Sequence, residues 1–116
     1  MNPCYERYNK MSKLLKLRNK MKEMGVDAVI VLDELNQHYL SEFAFTDGML
    51  LITMDRAELI TDFRYYEMAI NGADEDFNVS MPECRDAYIS EIFASSSVKT
   101  VGFEGAFVSY ELYRRL

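Results

Sequence analysis

The sequence is poor in the residues that build self-contained chemical sites. It holds one histidine, two cysteines and no tryptophan in 116 residues. Cys4 and Cys84 lie far apart with no C-x-x-C spacing, which excludes a zinc knuckle or a disulfide framework and predicts a reduced chain with small buried thiols. His38, alone, cannot assemble a metal or nucleophilic constellation. No G-x-G-x-x-G, G-x-x-x-x-G-K-[ST] or G-x-S-x-G occurs, so phosphate cradles and nucleophile elbows are absent. Basic residues are the minority, 13 against 19 acidic for a net charge of −6, which argues against a nucleic-acid partner. The longest apolar runs, Ala28–Leu32 and Met49–Thr53, fall far short of a membrane span, and the N-terminus lacks the apolar core of a signal peptide. The expectation is a cytoplasmic protein with no membrane partner.

What is present is an ordinary globular composition, 49% hydrophobic and 28% charged, on a chain long enough to bury roughly two-thirds of its unfolded surface. A single domain over residues 1–116 follows. The stretch from Met49 to Tyr65 organises it: two apolar runs flank the corner Asp55-Arg56-Ala57, and the second run then changes from a period of two to a helical one. Asp62 stands at that seam, where it is expected to cap the following helix.

Before the hairpin, Asn2-Pro3 opens a long amphipathic helix with lysines between its apolar positions, and Gly25 is its stop. Val26–Leu32 reads as a central strand covered on both faces. A short helical turn is expected around Asn36–Leu40, then a loop in which Asp47-Gly48 supplies the turn chemistry. Later come a helix ending at Asn71-Gly72, an outer strand Phe77–Ser80, a helix within Glu83–Ala94, a strand Lys99–Phe103 closed by Gly105, and a helix from Ser109 to Leu116. That last helix has no stop signal, so the chain reads as part of something longer. The order predicts a three-layer α/β/α domain with a mixed sheet containing a β-hairpin.

Polar candidates for chemistry are few. Asp33, at a strand end, could serve a stand-alone ligand-binding or signalling module, and Asp33 with His38 lacks the further ligands a metal needs. Ser95, Ser96 and Ser97 have no base nearby, and Glu104 reads as structural. The residues alone stop at an α/β domain that scaffolds, binds or associates.

Several fragments nevertheless carry a resemblance in their order and spacing. They are Leu17-Arg18, Met21, Gly25-Val26-Asp27-Ala28, Asn36, Tyr39-Leu40-Ser41, Phe43, Asp47-Gly48, Leu51-Ile52-Thr53, Leu59-Ile60-Thr61-Asp62-Phe63-Arg64-Tyr65, Ala69 and Val101-Gly102-Phe103-Glu104. With them the chain resembles the N-terminal domain of the creatinase, aminopeptidase P and prolidase family of Xaa-Pro metallopeptidases. The resemblance implies a ribonuclease-H-like mixed-sheet fold. It implies no cofactor in this chain, and two divalent metals, manganese or cobalt, in a catalytic pita-bread domain beyond residue 116. There a metal-bridging hydroxide would attack the bond before a proline. It implies that this domain is itself non-catalytic, supports a homodimer or higher oligomer, and rims the active site of a neighbouring subunit that takes short proline-containing peptides. Carried over by position, the rim is the loop from Tyr39 to Gly48, with Tyr39, Glu42, Phe43, Phe45 and Asp47, and also Arg64. The loop departs from the family pattern, which has glycines at the positions of Glu42 and Phe45 and commonly arginine at that of His38. A different loop backbone is therefore expected, because glutamate and phenylalanine disfavour positive φ.

Overall fold

The computed structural model describes the backbone of residues 3–103 and 106–109 and the side chains of 13–103. Helix α1 (Pro3–Met24) leads into strand β1 (Ala28–Val31), helix α2 (Glu34–Ser41) and the hairpin β2 (Met49–Thr53) and β3 (Ala57–Ile60). Helix α3 (Tyr66–Gly72), strand β4 (Asn78–Ser80), helix α4 (Arg85–Ser95) and strands β5 (Thr100–Phe103) and β6 (Ala106–Ser109) follow. The sheet order is β4-β3-β2-β1-β5-β6. β1, β2 and β3 pair antiparallel, β3–β4 and β1–β5 pair parallel, and β6 returns antiparallel on the outer edge of β5.

Side chains alternate across the pleat and divide the core in two. Val31, Leu50, Ile52 and Leu59 face α1 and α3 with Leu14, Met21 and Ala69. Ile30, Leu51, Ile60 and Val101 face α4 with Ile89, Ile92 and Phe93. The result is the expected three-layer α/β/α arrangement, with the apolar run of β1 at its centre. Fully burying one such aliphatic side chain is worth about 1.5–3 kcal/mol, so the two-sided strands carry much of the stability.

Local chemistry explains the joints. Gly25 at φ +70 ends α1, and Val26 N–H donates to the Met21 carbonyl (2.8 Å) while Gly25 N–H donates to that of Lys22 (3.2 Å), a Schellman closure. Asp27 then ties two strands at their starts: its carboxylate accepts from the N–H groups of Lys99 (2.9 Å) and Thr100 (3.1 Å). Arg18 fastens α1 to the hairpin turn through the carbonyls of Thr53 and Arg56, each at 3.0 Å.

Three expectations are corrected. Asp62 does not cap a helix; its Oδ1 accepts from Arg64 N–H (3.0 Å) in a turn, and α3 begins only at Tyr66 with no side-chain cap. Cys84 is a free, exposed thiol rather than a buried one. Residues 106–109 form a strand, β6, where no strand was expected. Glu42 takes the left-handed conformation (φ 62) that a glutamate disfavours, whereas Phe45 does not. The helix expected through Leu116, the closing role of Gly105, the cap at Asn2, and the side chains of Cys4 and Glu104 lie outside the described residues.

Candidate functional site

The ends of β1, β3 and β4 and the start of β2 meet at one edge of the sheet, and the loops there carry the rim candidates. Carboxyl ends of parallel strands are where open α/β sheets most often place ligands. Asp33 belongs to this edge, and its Oδ2 accepts from the Asn36 N–H (3.0 Å) as the N-cap of α2. That structural duty occupies the carboxylate on which a separate Asp33 site would depend.

The loop after α2 is braced from inside. Gln37 is buried, and its Nε2 donates to the carbonyls of Val31 (2.8 Å) and Gly48 (3.0 Å), bridging β1 to the far end of the loop. The buried Ser41 hydroxyl donates to the Gln37 carbonyl (2.7 Å), and its oxygen accepts from Phe43 N–H (3.3 Å). Phe43 and Phe45 stack with centroids 6.0 Å apart, and Phe45 meets Tyr65 edge-on at 6.5 Å. Phe45 is 4% exposed and Phe43 half-buried, so of this pair Phe45 anchors the loop in the core and cannot present a surface to a ligand.

The other rim candidates face outward. Tyr39 is exposed, with the Lys13 ammonium 4.5 Å from its ring centre. The same ammonium pairs with Glu42 at 2.7 Å, which helps hold the left-handed residue, a conformation that otherwise costs roughly 1–2 kcal/mol. Asp47, exposed and also at positive φ (57), accepts from Arg64 Nη2 at 3.0 Å. Its carbonyl accepts from Arg85 Nη2 at 3.1 Å. Arg64 in turn donates through Nε (3.1 Å) and Nη2 (2.7 Å) to Asp62 Oδ2. The loop after α2 and the turn after β3 are therefore clamped by one guanidinium between two carboxylates.

This clamp sets the charge states. Hydrogen bonding to Arg64 holds the Asp62 carboxyl below its ordinary value, and Asp62, then Asp47, hold Arg64 above its own. The sign follows by linkage: a carboxyl depressed in the folded state contributes order that is fully present above its unfolded pKa and lost as pH falls through its folded value. The turn is thus expected to stay clamped through neutral pH and loosen only in acid, below about 4. In an NMR titration the Arg64 amide and Nε resonances should stay fixed to that point and then move together. Movement nearer neutrality would show that the carboxylate is not their partner.

Sequence reasoning missed four residues here. Gln37 and Ser41 look like exposed polar residues of a short helix, but they brace the loop. Arg85 reads as a helix-start cation and instead reaches the loop backbone. Phe63, inside the Thr61–Tyr65 stretch, is a large apolar side chain that stands 81% exposed between the two clamp residues. Only its position between Asp62 and Arg64 could have signalled this. Among the described residues, no three His, Cys, Asp or Glu side chains gather as a metal site, and no helix is long and apolar enough to cross a membrane. The edge can bind through an aromatic, a phenol and fixed charges.

Comparison with known proteins bears on this arrangement. The chain is 40% identical over 57 residues, 49% of its length, to the uncharacterized peptidase YqhT of Bacillus subtilis, of which that segment is 16%. It superposes on the Xaa-Pro aminopeptidase of Streptococcus thermophilus with a TM-score of 0.77 at 26% identity, covering 93% of this chain and 83% of that one. It matches the N-terminal domain of the cytoplasmic peptidase PepQ of Mycobacterium tuberculosis with a TM-score of 0.69 at 31% identity, over 79% of this chain and 72% of that one. The curated relatives are far longer: the chain spans 16% to 20% of their length. Residues 13–116 match the Creatinase/Prolidase N-terminal domain, with the Asp27 tie and the Asp62–Arg64 turn inside the matched span, and the chain belongs to that family.

Proposed function

We propose that this chain is the non-catalytic N-terminal domain of a cytoplasmic, proline-specific Xaa-Pro aminopeptidase or dipeptidase. In this reading a separate catalytic domain holds two divalent metals, manganese or cobalt, and cleaves short peptides. The present domain supports a homodimer or higher oligomer, and its clamped edge borders the active site of a neighbouring subunit. The observation that carries the reading is the joining of Asp47 and Arg64 by a salt bridge on the same edge as exposed Tyr39. Two loops fixed in this way present charge and aromatic surface without paying to order it on binding.

The test uses the full-length protein beside the isolated 116-residue chain. The isolated chain is expected to cleave no Xaa-Pro peptide with manganese or cobalt added, whereas the full-length protein cleaves it. In the latter, Arg64→Ala should raise KM by roughly tenfold, the equivalent of about 1.4 kcal/mol of lost binding, with a smaller change in kcat. Cleavage by the isolated chain that survives repurification would overturn the non-catalytic assignment. Unchanged KM in Arg64→Ala would remove the edge from the substrate's path.

A further inference from the structure

Strands β3 and β4 run parallel side by side, but the chain leaves them toward opposite faces of the sheet. From β3 it passes into α3, whose Ala69 packs in the cluster of Leu59. From β4 it passes into α4, whose Ile89 and Phe93 pack in the cluster of Ile60. The two connections part over the strand ends, and an open cleft of about 330 Å³ lies there. Crevices of this origin, outside the carboxyl ends of strands whose connections diverge, are where open α/β sheets most often take ligands. The volume suits a small one, since ligand sites run from about 300 to 1,000 Å³.

The cleft combines apolar walls with two uncommitted charges. Phe63 is 81% exposed, Met81 47% and Pro82 half-buried, and all three line it. A ligand with an apolar body that covers them removes that area from water. Arg85, in the first turn of α4, gives one N–H to the Asp47 carbonyl (3.1 Å) and belongs to no ion pair among the described residues. A guanidinium carries five N–H donors, so others remain for a ligand oxygen. Glu83, exposed on the same cleft, has no hydrogen-bond or ion-pair partner among the described residues. The third charge there, Asp62, is already held by Arg64 at 2.7 Å.

We propose that this cleft is a binding site for a small zwitterion with an apolar body, a free apolar amino acid or a dipeptide. Arg85 takes the carboxylate, Glu83 takes the ammonium, and Phe63, Met81 and Pro82 cover the apolar part. A purely anionic ligand would be repelled by Glu83 and a purely cationic one by Arg85, so each charge rejects what the other would admit. The site is built from the present chain alone and does not rest on the peptidase reading.

The test follows amide chemical shifts of the 116-residue chain at neutral pH as L-leucine or alanyl-leucine is added to millimolar excess. Saturable shifts are expected at Thr61–Phe63, Met81 and Glu83–Asp86, with α1 unmoved. N-acetyl-leucine lacks the ammonium and leucinamide lacks the carboxylate, so each should bind about tenfold more weakly than leucine. Arg85→Gln should lose the preference for leucine over leucinamide and keep that over N-acetyl-leucine. Glu83→Gln should do the reverse, and unmoved amides of β1 and β2 show that each variant is folded. Tighter binding of alanyl-leucine than of leucine would name a dipeptide as the occupant, and the opposite order a free amino acid. Equal binding of leucine, its amide and its N-acetyl form would overturn the proposal. So would shifts centred on another part of the chain, or none at millimolar concentration.

Discussion

Phe45→Ala is expected to destabilise the domain by about 3–5 kcal/mol, the range for removing a buried aromatic ring. The ring is 4% exposed, stacks on Phe43 and meets Tyr65 edge-on, and it also lies over Gly48. Deleting it opens a void between the loop and the core, and the neighbours can close it only by giving up their own packing. The clamp should suffer next, because Tyr65, which loses its partner, follows directly on Arg64 and holds Thr46 through its phenol oxygen at 3.0 Å. Urea unfolding of the isolated chain measures the effect; Phe45→Leu, which keeps most of the apolar volume, should recover most of the loss. If Phe45 were instead a substrate contact, Phe45→Ala would leave the midpoint in place and alter only peptide KM in the full-length protein.

That contrast shows what the sequence could and could not convey about this edge. The α1 stop, the hairpin and the two-faced strand β1 were legible because period and punctuation agree: Gly25 ends a lysine-striped helix, and Leu50 and Leu51 can both be apolar only when each face of the sheet is covered. Arg64 and Asp47 were legible as positions through the resemblance, but not as partners, since 17 residues separate them. Phe45, a rim candidate by position, is buried, and Phe63 is exposed. Both are phenylalanines in polar surroundings, and which one turns inward depends on Gly48, Tyr65 and the Asp62 turn, which are tertiary facts. The start of α3 slipped for a similar reason, since Asp62 satisfies Arg64 N–H locally and delays the helix. β6 escaped because four residues after a glycine carry too little periodicity to separate a strand from a helix start. Glu42 takes the left-handed conformation that its residue type disfavours, held by an ion pair and by its own N–H donating to the His38 carbonyl at 2.9 Å.

Gly48 tests the same packing from the other side. Asp47-Gly48 reads as a turn pair in which glycine supplies positive φ, yet it is Asp47 that takes the left-handed conformation. Gly48 is needed for space: a Cβ there would sit 2.5 Å from Phe45 Cε2 and 2.6 Å from the Ile60 carbonyl oxygen. The ring could swing aside at a packing cost, but the carbonyl is fixed in β3, where Ile60 pairs with Met49. Gly48→Ala must therefore push the β2 start away from β3, lengthening the Gln37 Nε2 contact to the Gly48 carbonyl as well. Overpacking of this kind costs about 1–3 kcal/mol, and the upper end is expected here because backbone blocks one direction and a buried ring the other. The variant should show a lower urea midpoint with an unchanged slope, and faster amide exchange at Met49 and Phe43 than in α4. A midpoint within about 0.5 kcal/mol of the parent would mean that the loop absorbs a methyl group freely. In that case the rim is not rigid, and Arg64 and Asp47 could not present a surface fixed before substrate arrives.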